Sequence, residues 1–72
     1  MSDERTRIEI GFDGGLIVVT KLTDQEWAKL ESALSARTGT VELDGEDDTV
    51  LFVDVTKVSY VKRELHVGRV GF

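Results

Sequence analysis

This chain lacks the combinations of residues that usually perform catalysis or bind metals. Cysteine is absent and His66 is the only histidine, which excludes thiolate zinc sites and histidine clusters within one chain. A serine–histidine–acid triad would have to use His66, and no serine stands in the Gly-x-Ser-x-Gly pattern that presents a nucleophile. The serines are Ser2, Ser32, Ser35 and Ser59. We therefore expect no enzyme, no metal ligand and no cofactor.

Two short segments share features with ligand-binding loops without completing their patterns. Gly11-Phe12-Asp13-Gly14-Gly15 is rich in glycine, but a phosphate loop would continue through Lys-Ser/Thr into a helix, and here a strand follows. Asp44-Gly45-Glu46-Asp47-Asp48 could hold a hard cation loosely, yet it lacks the ligand spacing and the distal Glu of an EF-hand. Both segments are typical of hairpin turns.

An aromatic and basic group lies near the C-terminus. Proteins that bind single-stranded nucleic acid combine stacking aromatic rings with cations. The residues that offer such a patch here are Tyr60, Lys62, Arg63, His66 and Arg69. One aromatic ring is a weak signal, and the acidic segment before it would repel phosphate. A weak nucleic-acid or nucleotide binder is therefore the alternative hypothesis, and nucleic acid is not the expected partner.

The size of the chain favours association with a partner subunit. Its 72 residues make one domain, which buries only about 60% of the surface that the unfolded chain exposes. Disulfides and metals are excluded above, so an oligomer is the remaining way to stabilise it. The net charge is −5, yet residues 41–56 hold six acids and no base, whereas residues 57–72 hold four bases and one acid. Solvated hairpins would explain this asymmetry, and so would electrostatic complementarity between subunits.

The ends of the chain and its hydropathy indicate a cytoplasmic protein. No apolar run approaches the ~20 residues that a membrane helix needs. The N-terminus is polar and lacks the hydrophobic core of a signal peptide. We expect residues 1–6 to be a polar, disordered tail and residues 7–72 to form the domain.

The periodicity predicts one helix and five or six strands. Residues 7–12 alternate in polarity and residues 16–21 are rich in β-branched side chains, so the two segments predict a hairpin. Thr23 and Glu26 have capping-box spacing, Trp27, Leu30 and Leu34 follow at helical spacing, and Gly39 suits a left-handed stop. This predicts a helix over residues 24–37, with Trp27 in the core.

The second half of the chain reads as strands. Residues 40–44, 49–53 and 58–65 are predicted strands, with a turn at 45–48 and a bend at 54–57. Residues 67–72 either extend the preceding strand or add a last edge strand. The predicted fold class is α+β in the order ββαβββ, with one helix packed on a mainly antiparallel sheet of four to six strands.

Several strands are apolar on both sides. A single helix covers one face of a sheet, and strands that are apolar on both faces are normally buried on both. Either another subunit or the C-terminal tail would cover the remaining face, and we expect a homo-oligomer, with a twofold dimer as the first choice. The candidate interface residues are Ile17, Val19, Leu51, Val53, Val70 and Phe72. The function that this predicts is a non-enzymatic, self-associating protein-interaction module.

A family resemblance runs through residues 7–72. The segments that carry it are Ile8-Glu9-Ile10-Gly11, the helix with its early acidic residues, Lys57-Val58-Ser59-Tyr60-Val61 and Arg69-Val70-Gly71-Phe72. In these the chain resembles a small actinobacterial family, domain of unknown function 3107. The resemblance implies a bacterial α+β domain in a cytoplasmic context, and it implies no catalytic residue.

Overall fold

A computed structural model describes residues 4–37 and 39–64. Its elements follow in the order β1 (Thr6–Phe12), β2 (Ile17–Leu22), α1 (Asp24–Ala36), β3 (Thr40–Asp44), β4 (Val50–Asp54), a 3₁₀ turn (Val55–Lys57) and β5 (Val58–Arg63). The predicted α+β class and the ββαβββ order are confirmed. β1 begins within the predicted tail, at Thr6, and residues 1–3 of that tail lie outside the described residues.

The strands form two antiparallel sheets instead of one. Strands β2, β1 and β5 make a three-stranded sheet in that order, and β3 pairs only with β4 in a separate hairpin. The strand predicted over residues 67–72 lies outside the described residues. Two separate elements, the helix and the β3–β4 hairpin, are therefore available to cover the three-stranded sheet.

One hydrophobic core joins these elements. Its buried members come from both sheets, the helix and the 3₁₀ turn: Ile8, Ile10, Leu22, Leu30, Leu43, Val53, Val55 and Val58. Trp27, Ala33 and Leu34 pack against this cluster from the helix, as their spacing predicts, although Trp27 is only partly buried. Because the helix and the β3–β4 hairpin both contribute to it, they share the cover of one face of the three-stranded sheet.

A bulge near the start of β5 turns the side chain of its first residue, Val58, toward the core. Gly11 lies opposite Tyr60, but Phe12 lies opposite Val58, so Ser59 is an extra residue in β5. Val58 consequently points into the core with Val61, at 5% exposure. Strict alternation along a strand over residues 58–65 would have put Val58 on the same side as Tyr60 and Lys62, and the bulge moves it to the opposite side.

The start of α1 matches only half of a capping box. The Glu26 N–H donates to the Thr23 hydroxyl at 3.3 Å, which satisfies one of the free amides of the first turn. The Glu26 carboxylate does not accept the Thr23 N–H, as it would in a complete capping box. It accepts the Asp44 N–H at 2.9 Å and thereby ties the helix to the end of β3.

Left-handed residues end the helix and turn the second hairpin. Arg37 has a φ of 56° and donates its N–H to Ala33, so the helix stops before Gly39, which also has a positive φ. Asp47 and Asp48 have φ values of 55° and 60°, a conformation that aspartate tolerates better than most residues. Their place in the acidic segment is therefore explained by the turn itself.

Within the described ranges, none of the helices has the length and apolar character required to cross a bilayer.

Candidate functional site

The outer side of the three-stranded sheet is bare among the described residues. Ile17 and Val19 of β2 are 53% and 49% exposed there, and Tyr60 of β5 is 42% exposed. The remaining side chains of this side come from all three strands, as the register shows. We call the surface made by Arg7, Glu9, Gly11, Ile17, Val19, Lys21, Tyr60 and Lys62 the open face.

A tyrosine packs on a glycine at the centre of the open face. Gly11 lies opposite Tyr60, and a Cβ added to Gly11 would collide with the ring, so the absence of a side chain creates the space that the ring fills. The Tyr60 hydroxyl donates to Glu9 at 2.7 Å. This bond to the carboxylate raises the pKa of Tyr60, with smaller contributions from burial and from the charge of Glu9.

Ion pairs border the centre of the open face. The Lys62 Nζ lies 3.8 Å from Glu9, whose side chain is only 17% exposed, and Arg7 lies 3.0 Å from Glu64. No carboxylate of residues 4–37 and 39–64 lies within 4 Å of the Lys21 ammonium group. The open face is therefore apolar at Ile17 and Val19 of β2, and Lys21 at the end of the same strand adds a positive charge. The charged residues on β1 and β5 are engaged in ion pairs.

β2 is an edge strand of its sheet. At the start of the ladder, Phe12 donates its N–H to the Leu16 carbonyl at 2.9 Å. Bonded pairs alternate along antiparallel strands, so Val18 and Thr20 face β1 with their backbone groups. The residues whose backbone groups face the edge are Ile17, Val19 and Lys21. Among the described residues no strand pairs with this edge, although the Lys21 carbonyl accepts a hydrogen bond from the Arg5 guanidinium at 3.5 Å. An apolar edge of this kind is a template for another strand.

The structure separates the predicted interface residues. Ile17 and Val19 lie together on the open face, but Val53 is in the core at 5% exposure and Leu51 packs against it. The outer side of β4 instead presents Val50 and Phe52, at 45% and 70% exposure. Alternation assigned these pairs to opposite sides correctly but could not say which side faces outward. Val70 and Phe72 lie outside the described residues.

The predicted basic patch is divided as well. Tyr60 and Lys62 share the open face, with the Glu9 carboxylate between them. Arg63 lies on the other side of β5, with its guanidinium 4.9 Å from the Trp27 ring centre and 3.4 Å from Asp24. His66 and Arg69 lie outside the described residues. The described part thus holds no continuous cationic surface around Tyr60.

The shifted carboxyl groups have structural causes. The Asp44 N–H lowers the pKa of Glu26, and Lys29, at 3.0 Å, lowers it further against the effect of burial. The Thr56 hydroxyl and N–H lower the pKa of Asp54, which accepts both at the start of the 3₁₀ turn. Lowered values make weaker bases, so these carboxylates are stabilised as anions.

The acidic turn lines a shallow depression and shows no metal geometry. Arg5 lies beside the turn residues Asp44, Asp47 and Asp48 in this depression. Within the part of the chain that the structure describes, no three acidic or histidine side chains are grouped to hold a metal ion.

Comparisons with known proteins give no relative: no family model, no curated protein and no solved structure matches the chain significantly.

Proposed function

We propose that this chain is a small, non-enzymatic interaction module that self-associates through the open face of its three-stranded sheet. The observation that carries the proposal is the pair of β-branched side chains, Ile17 and Val19, about half exposed on a sheet face that no residue of 4–37 and 39–64 covers. Exposed apolar surface of this kind marks interfaces on soluble proteins. The cytoplasm, as the polar composition suggests, is the compartment we propose for it.

The charges of the open face support binding to protein over binding to phosphate. Glu9 on this face and Glu64 beside it are already paired with Lys62 and Arg7, and Glu9 also accepts a hydrogen bond from the Tyr60 hydroxyl. Lys21 is the cation of the open face that lies more than 4 Å from every carboxylate of residues 4–37 and 39–64, whereas a phosphate-binding patch needs a cluster of such cations. An apolar protein surface would leave the pairs at the rim intact.

Nothing in the described geometry prepares a side chain for acid–base chemistry. Glu26 and Asp54 have lowered pKa values caused by structural hydrogen bonds, which disfavours both as proton donors near neutral pH. These observations support a non-enzymatic role.

Sedimentation equilibrium of the full chain tests the proposal at concentrations from roughly 1 to 100 µM, the range that detects micromolar dissociation constants. We expect a mass above the 8.0 kDa of one chain, and we expect Val19→Glu to return it to that mass. Gln25→Glu adds the same charge at an exposed helix position and serves as the matched control. A wild-type chain that stays at 8.0 kDa throughout would refute self-association.

A further inference from the structure

The outer side of the β3–β4 hairpin is a second surface with an apolar centre. Phe52 is 70% exposed and Val50 is 45% exposed on it. Their neighbours in the register on the same side are mostly acidic. We call the surface made by Thr40, Glu42, Asp44, Val50, Phe52 and Asp54 the hairpin face.

The carboxylates of the hairpin face lack basic partners in the described structure. None of Glu42, Asp44 and Asp54 has a lysine or arginine nitrogen of residues 4–37 and 39–64 within 4 Å. The hairpin face therefore carries three negative charges. Lys29 of the helix and Arg5 lie at its borders, near Glu42 and Asp44, without forming an ion pair with them within 4 Å, so the face remains net negative.

The open face has the opposite polarity. With Glu64 beside it, it carries three basic and two acidic residues, and the acids are paired with Arg7 and Lys62. Lys21 is the cation left over, and it stands at the edge strand next to Val19. Each face thus has an exposed apolar centre, and the net charges differ in sign.

We infer that the hairpin face of one copy of this chain docks on the open face of the next copy. The inference rests on the proposed function and names the partner surface. Pairing two hairpin faces would bring six carboxylates together, and pairing two open faces would oppose two net positive surfaces. Only the mixed pairing places Phe52 and Val50 on the apolar centre of a face whose net charge is opposite to that of the hairpin face. Such a head-to-tail contact closes into a ring or continues as a chain of copies.

Two complementary variants test the arrangement. Val19→Glu spoils the open face and leaves the hairpin face intact, whereas Phe52→Lys does the reverse. Both positions are exposed, so we expect both variants to fold, which circular dichroism checks. Each variant alone should sediment at 8.0 kDa, with at most traces of larger species. An equimolar mixture should form a 1:1 complex, because the intact hairpin face of Val19→Glu can dock on the intact open face of Phe52→Lys.

The outcomes separate this inference from the proposed function. If Phe52→Lys keeps the full mass of the wild type while Val19→Glu is monomeric, self-association through the open face stands but its partner is another open face or a β2 edge. A mixture that stays at the mass of its components also overturns the inference. Ser35→Lys, which adds the same single positive charge at an exposed helix position, should leave the assembly unchanged as the matched control for Phe52→Lys.

Discussion

The ring of Tyr60 lies on Gly11, its cross-strand neighbour, and its hydroxyl donates a hydrogen bond to the carboxylate of Glu9 at 2.7 Å. This relationship organises the middle of the open face, because the ring, the glycine and the carboxylate occupy adjacent positions on β1 and β5. It also fixes the place of an aromatic side chain that a sequence pattern alone would associate with base stacking.

Gly11→Ala should displace the Tyr60 ring and break its bond to Glu9. We expect the free energy of unfolding to fall by roughly 1–2 kcal/mol, the cost of a hydrogen bond to a charged group and of lost packing. Urea unfolding measures the change. In a Tyr60→Ala background the same substitution should cost clearly less, since no ring is there to move. Equal costs in both backgrounds would locate the effect in the backbone instead.

Glu26 should make the stability depend on pH in the acid range. Its pKa is lowered in the folded state, so its bond to the Asp44 N–H stabilises the fold above the ordinary value of 4.5 and is lost as the pH falls through the folded value. At pH 7, Glu26→Gln should reduce the free energy of unfolding by roughly 1 kcal/mol, and the difference should shrink as the pH falls below 4.5 through the lowered folded value. Urea titrations at a series of pH values measure this.

The control for that titration is Glu31→Gln, which changes an exposed carboxylate on the same helix. Its stability should follow the wild type across the whole pH range. A constant difference between Glu26→Gln and the wild type from pH 7 to pH 3 would contradict the role assigned to the charged carboxylate.

Two valines of β4 should differ sharply in their contribution to stability. Val53 is 5% exposed in the core and Val50 is 45% exposed on the hairpin face. Val53→Ala should cost roughly 2 kcal/mol through lost contacts and a small cavity, whereas Val50→Ala should stay within about 0.5 kcal/mol. Thermal unfolding of the two variants, at a concentration where both are monomeric, provides the comparison. Similar costs would mean that β4 turns its other side to the core.

Arg63 should act on Trp27 rather than on a ligand. Its guanidinium covers the indole ring at 4.9 Å, and its Nε is buried without a hydrogen-bond partner among the described residues. Arg63→Met removes the cation–π contact and the unpaired donor together, so the net loss of stability should be below about 1 kcal/mol. The fluorescence of Trp27, the only tryptophan, should nevertheless shift.

Lys62→Met is the matched variant for this test, because Lys62 neighbours Arg63 in sequence but lies on the open face. It should leave the Trp27 spectrum unchanged. A spectral shift of equal size in both variants would contradict the contact between Arg63 and the Trp27 ring.

The sequence by itself determined the elements and their order, because the signals for them are local. Alternation and β-branched runs specified the strands, and Thr23 with the apolar stripe Trp27, Leu30 and Leu34 specified the helix within one residue of its observed end. The surplus of apolar strand surface was also readable, and part of it does remain exposed at Ile17 and Val19.

Only the tertiary structure decided which surfaces that surplus occupies. The alternation in β4 gives two sides without saying which one packs inward, and the core assigns Val53 to the inside and Phe52 to the outside. The extra residue at Ser59 turns Val58 away from Tyr60, and Glu26 leaves its own helix cap to bind β3. Each of these depends on contacts between segments far apart in the chain, whose energies no local pattern encodes.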